Sequence, residues 1–266
     1  MATDNSLSQF KNMQKVGWGL FTPIEMFTIP AAATLTEFAE IKPGQKVLDC
    51  ACGTGVVAIT AALKGAKVKA LDLSPTLLER AKENSQVSRT EIEFTEGDVE
   101  ALPYADGEFD VVLSQYGHMF APRPDVTVKE MLRVLRPGGR IAFSTWPPDH
   151  LVGLVFKLAG KYVPAPEGAA PPHLWGEPAF VRERLGDAVK DLVFDRSEMQ
   201  ISALSPMHMR DLQEKTIAPL AKLVSELESS PEKLSRVRAE LEDIIRVYWR
   251  GNAVHQHYLM TRATKI

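Results

Sequence analysis

The chain has 266 residues, with 31 Lys and Arg against 34 Asp and Glu and a formal net charge of −3; that length buries a substantial core as one α/β domain with an elaboration. Near-balanced charge without a basic stripe speaks against a nucleic-acid partner held by electrostatics, and no charged-then-apolar leader or bilayer-length apolar run points to a membrane. The two cysteines, Cys50 and Cys52, flank one residue, which suits neither a disulfide nor a zinc site, so a reducing cytoplasm is the expected setting.

In chain order, Leu7, Phe10, Met13 and Val16 fall near helical spacing before Gly17-Trp18-Gly19 interrupts. Residues 24–40 read as helix broken at Pro30. Leu35 and Phe38 are expected to pack on the sheet, whereas Trp18 and Phe21 sit in a glycine-flanked stretch able to move. Residues 46–49 read as a buried strand and 55–64 as the helix it feeds. A short apolar run that ends in an acid, turns on glycines and enters a periodic apolar segment marks a parallel strand of a doubly wound α/β sheet. Gly53 and Gly55 allow the turn and a close approach of backbone to ligand, and the helix start presents unpaired N–H groups to it.

Gly53-x-Gly55-x-x-Ala58 also fits a dinucleotide fingerprint, so a nicotinamide-dependent oxidoreductase is one alternative. Asp49 weighs against it. A carboxylate at the end of the first strand repels a pyrophosphate but suits the ammonium of S-adenosylmethionine (SAM), which carries no phosphate. Residues 67–71 form the second strand, and Asp72 after it is placed to accept hydrogen bonds from two ribose hydroxyls. Ser74 before Pro75 is expected to cap the next helix, and Leu73 to pack on the adenine.

The third and fourth strands are read at 91–95 and 109–114, followed by the loop Gln115-Tyr116-Gly117-His118-Met119-Phe120. A helix at 125–135 and a fifth strand at 140–145 come next. Residues 151–156 are expected to pack or to line a pocket, 162–175 to form an extended loop, 178–185 a helix and 189–201 a strand. Residues 205–249 read as two helices parted near Ser229-Ser230-Pro231, and 255–261 as the last strand.

Five segments carry a likeness to a known family: Asp49-Cys50-Ala51-Cys52-Gly53-Thr54-Gly55, Ala70-Leu71-Asp72-Leu73-Ser74, Glu96-Gly97-Asp98-Val99-Glu100, Phe109-Asp110-Val111-Val112 and Leu135-Arg136-Pro137-Gly138-Gly139-Arg140. In this order and spacing they resemble the class I SAM-dependent methyltransferases, particularly the branch similar to ubiquinone/menaquinone methyltransferases. The likeness runs from about residue 42 to residue 146. Ala51 departs from it, standing where many members have the first glycine of a longer run. The resemblance implies a Rossmann-like α/β fold, a doubly wound, mostly parallel seven-stranded sheet with a helical cap. It divides one domain into an N-terminal lid (1–40), a SAM-binding core (41–148), a substrate-side elaboration (149–250) and a last strand (251–266). It also implies that Asp98 accepts from the adenine amino group and that the Val99 N–H meets a ring nitrogen. Ala51, Cys52, Gly53, Gly55, Ser114 and Gln115 would complete the cofactor site with Asp49, Asp72 and Leu73.

A sulfonium methyl is already activated, and placing a nucleophile in line with it supplies about 7–11 kcal/mol in well-oriented systems. A base is needed only where the acceptor carries a proton at its reacting atom, and adds roughly 10²–10⁴-fold. His118 is the candidate base, because it follows the fourth strand on the side where open α/β sheets bind ligands; holding the loop by hydrogen bonds is its other role. Tyr116 is the second candidate, as base or as a cradle for the sulfonium. The expected function is methyl transfer from SAM to a small-molecule acceptor without a metal. A SAM-binding protein that lacks catalysis is the alternative from another class.

Overall fold

The computed structural model describes residues 2–266, and side chains from residue 6 onward. The chain begins with α1 (Ala2–Gly17), winds as 3-10 helix through Trp18–Thr28 and enters α2 (Ile29–Phe38). Pro30 lies in the first turn of α2, where its missing N–H has no partner to lose. It therefore starts a helix where the sequence suggested a break.

Strand β1 (Lys46–Cys50) explains the layering. Period-two alternation turns Val47 to one face of the sheet and Leu48 and Cys50 to the other, and both faces are buried. A strand apolar on both sides needs helices on both sides. The Val47 face is covered by α2, α3 (Val56–Leu63) and, beyond β2 (Lys67–Asp72), α4 (Pro75–Val87), through Leu35, Ala58, Ala61 and Leu78. After β3 (Ile92–Glu96) and β4 (Phe109–Gln115), the opposite face is covered by α5 (Pro124–Val134), which leads into β5 (Leu135–Thr145). Two more helices, α6 (Leu151–Tyr162) and α7 (Pro178–Leu185), pack into the same core through Leu158 and Val181.

The chain then forms the long strand β6 (Val189–Ser202) and a cap of α8 (Pro206–Thr216), α9 (Ala218–Leu227) and α10 (Pro231–Tyr248). It closes with β7 (Trp249–Arg250) and β8 (Ala253–Lys265). The sheet order is β3-β2-β1-β4-β5-β8-β6, with β1 to β5 parallel and β8 antiparallel to β5 and β6.

Two further details differ from expectation. The seven expected strands are joined by an eighth, the two-residue β7 paired to β8 through Gly251 and Asn252; both turn residues have positive φ, as a tight hairpin requires. The cap contains three helices rather than two. Pro219 offers no N–H to continue α8, so Ile217 turns extended and α9 starts afresh.

Helix α6 tests the packing. Alanine is favoured over glycine in a helix by about 0.5–1 kcal/mol. At Gly153, however, a Cβ would lie 2.2 Å from the Pro147 carbonyl oxygen and 2.5 Å from Pro148 Cα. Backbone cannot yield as a side-chain tip can, and overpacking of this kind costs about 1–3 kcal/mol. Gly153→Ala should therefore lower the urea midpoint, and a raised midpoint would show that propensity outweighs the clash.

Candidate active site

Strands β1 and β4 are neighbours, and the chain leaves them toward opposite edges of the sheet. That is the topological switch point, outside whose carboxyl ends open α/β sheets hold ligands. A cavity of about 230 Å³ opens there, its floor made by Asp49, Ala51, Cys52, Gly53, Asp72, Leu73, Asp98, Val99, Gln115 and Tyr116. These are ten of the expected site residues.

The β1–α3 turn is shaped by three left-handed residues: Ala51 at φ 54°, Gly53 at 56° and Gly55 at 82°. Ala51 adopts the conformation that a glycine would supply at that position. A Cβ on Gly53 would meet nothing within 4 Å, so its backbone borders open space. Gly55 does not line the cavity; its Cα packs toward Ala81 of α4, and it serves the turn and the helix contact.

Asp49 is 1% exposed. One carboxylate oxygen accepts the Ala58 N–H at 3.0 Å, and the other, Oδ1, has no partner. Burial pushes its carboxyl well above the ordinary range, and the nearby Asp72 charge adds to this. Asp72 is buried too, and burial raises its pKa. It accepts the Gly53 N–H at 2.7 Å and the Ser74 N–H at 2.8 Å. The carboxylate thus braces the turn, and the capping expected of Ser74 is not made, since the Ser74 hydroxyl has no hydrogen-bond partner. Asp98 accepts from Lys11 Nζ at 2.5 Å and from the Glu100 N–H at 2.9 Å.

The roof comes from both ends of the chain. Lys11, Gln14, Trp18, Phe21, Ile24, Phe27 and Thr28 line it from the N-terminal segment; Val152, Val155 and Phe156 from α6; Met199 and Ile201 from β6; and Met209, Leu212, Gln213 and Thr216 from α8. Trp18 packs on Phe120 with ring centroids 4.5 Å apart. Lys11 and Gln213 gave no local signal in the sequence. Lys11 meets an acid 87 positions away, and Gln213 is one polar residue on an ordinary polar helix.

Besides Gly55, two expected residues are not brought to the cavity, Ser114 and His118. Ser114 is buried beneath it, donating to the Cys50 carbonyl at 2.7 Å and accepting the His118 N–H at 3.1 Å. That second bond starts a 3-10 turn, His118–Phe120, which presents Phe120 to the cavity. It sends His118 into the core, against Phe143 and Trp175 with centroids 4.6 Å from each. His118 is fully buried and neither ring nitrogen has a partner, so its side chain neither faces an acceptor as a base nor holds the loop by hydrogen bonds. Tyr116 does line the cavity, at φ 57° with its ring stacked on Trp146 at 3.9 Å. Burial pushes its phenol well above its ordinary value, which disfavours base work at neutral pH.

Burial lowers the His118 pKa from 6.5 to about 3. Between those values the unfolded chain takes up a proton that the folded chain refuses, so stability falls on acidification. His118→Leu should flatten that part of the stability–pH curve in denaturant titrations. An unchanged slope would mean that the imidazole is protonated inside the fold.

Comparisons with known proteins agree with this geometry. The family described as "Methyltransferase domain" matches residues 48–143. An uncharacterised protein of Mycobacterium tuberculosis is 34% identical over 243 residues, covering 91% of this chain and 89% of its own length. A demethylmenaquinone methyltransferase of Renibacterium salmoninarum is 42% identical over 102 residues, 38% of this chain and 41% of that protein. Among solved structures, a putative methyltransferase from Bacillus halodurans superposes with a TM-score of 0.59 at 20% identity, covering 88% of this chain and 98% of that one. With the sheet order and the cavity at its switch point, these matches make the chain a member of the SAM-dependent methyltransferase family.

Proposed function

We propose that this protein transfers the methyl group of SAM to a small-molecule acceptor held between the floor of the cavity and its cap. The observation that carries the reading is the buried, unpartnered Oδ1 of Asp49, a residue that lines the cavity. Such an atom is expensive to keep unpaired unless a ligand completes it. The ammonium of SAM is the complement, so the residues present fit this cofactor. Asp72 receives the ribose hydroxyls on its remaining lone pairs. Asp98 and the Val99 N–H read the adenine, and Leu73 packs on it.

Bound SAM supplies a methyl group on sulfonium, which needs no further activation. The chain supplies orientation and dryness. Tyr116, locked by Trp146 and by the edge of Tyr258, forms a rigid wall beside the reacting centre. With His118 in the core, catalysis rests on positioning. Residues 1–40 act as the lid, 41–148 as the cofactor core, 149–250 as the acceptor side and 251–266 as the closing strand.

Asp49→Asn tests the reading. It keeps an acceptor for Ala58 but removes the charge, so SAM affinity by calorimetry should fall about 10- to 100-fold, the scale of a charged hydrogen bond. The ligand-free variant should also melt higher. A raised carboxyl pKa means that the fold retains a proton which the unfolded chain releases, so ligand-free stability declines as pH rises through that window, and the variant is free of this decline. Unchanged SAM affinity would remove Asp49 from the site. Methyl-labelled SAM incubated with a small-molecule extract should leave label in a low-molecular-weight product. Label retained wholly in SAM, with SAM bound, would favour a binding protein without turnover.

A further inference from the structure

The cap carries a polar group that the cofactor reading does not use. Gln213 lines the cavity from α8, is 8% exposed, and its side-chain oxygen has no hydrogen-bond partner. Thr216, one turn on, does not satisfy it, because the Thr216 hydroxyl donates to the Leu212 carbonyl at 2.7 Å. Among the described residues, the charged ones that line the cavity are Lys11, Asp49, Asp72 and Asp98. None lies on the cap, and Lys11 is held by Asp98 and Glu100. The cavity is lined largely by aromatic and aliphatic side chains, among them Trp146, Val155, Phe156 and Ile201, and on the cap side Gln213 and Thr216 are the polar ones. A charged acceptor would be stripped of water there without a counter-charge. An apolar acceptor with one hydroxyl or N–H would lose little and would complete Gln213.

We infer that Gln213 is a specificity-determining residue, and that the acceptor is an uncharged, largely apolar molecule whose hydroxyl or N–H donates to Gln213 Oε1. This rests on the methyl-transfer reading above, because it takes the cap side of the cavity as the acceptor's place. The amide fixes which end of the acceptor faces the cap, and so which atom meets the methyl group.

Three probes of one shape separate the elements of the claim: 2-naphthol, 2-methoxynaphthalene and 2-naphthoate, titrated at pH 7 by fluorescence with S-adenosylhomocysteine bound. The neutral donor should bind about tenfold tighter than the ether, and the carboxylate weaker than both. Gln213→Met, of similar shape but without the amide, should reduce the naphthol-to-ether ratio to below about threefold. Its affinities for the ether and for S-adenosylhomocysteine should stay within about twofold of the unaltered protein. Naphthoate binding as tightly as naphthol, a ratio unchanged in the variant, or no binding of any probe would each overturn the inference. S-adenosylhomocysteine binding in the same titration keeps the cofactor reading separate, since its failure alone would sink that reading instead.

Discussion

A carboxylate held in the dry centre of a sheet, with one oxygen bonded and the other not, is the constraint on which this site depends. Asp49 sits on β1 in register with Ala70 of β2 and Leu113 of β4, so strands on both sides prevent it from swinging toward water. Its Oδ2 is fixed by Ala58 in the first turn of α3, which ties the helix start to the strand end and sets the path of the turn between them. Desolvation disfavours the charge when no ligand is bound. A cation that enters restores it and gains the full interaction in a medium of low dielectric.

The second constraint is enclosure. Glu100, buried, gathers Lys11 from α1 and both the backbone and side-chain nitrogens of Arg123 ahead of α5. The N-terminal segment is thereby tied to the rim of the cavity. Farther along the segment, Glu25 is held by Arg80 and Asn84 of α4. The 3-10 stretch between these anchors lays Trp18 and Phe21 over the floor, while α6 and α8 close the opposite side. Excluding water strengthens every charge interaction inside. Among the described residues, the cap side of the cavity carries no charged side chain.

The parts of this architecture legible in sequence were those with local physics. The apolar period of β1 and β4, the acids at the ends of β1 and β2 and the glycine turn are each legible within a few residues, and each lines or shapes the cavity. What was not legible depended on distance or on the direction of a turn. Lys11 meets Asp98 only because α1 folds back across the sheet. His118 was expected to point onward from β4, yet one hydrogen bond from its N–H to Ser114 tightens the loop into a 3-10 turn and buries it, placing Phe120 where a histidine was anticipated. The extra break in the cap rests on Pro219 alone, a weaker signal than the run Ser229-Ser230-Pro231. Asp72 is legible as an acid at the cavity; that its carboxylate braces Gly53 and Ser74 is not.

The central claim is that the free oxygen of Asp49 is the seat of the cofactor's ammonium. Its most direct test is the titration of the Asp49 carboxyl carbon by NMR, in the ligand-free protein and with SAM bound. The account predicts a carboxyl that titrates well above the ordinary aspartate range when the site is free and stays ionised across the same pH range when SAM is bound. The same titration curve in both states would contradict it.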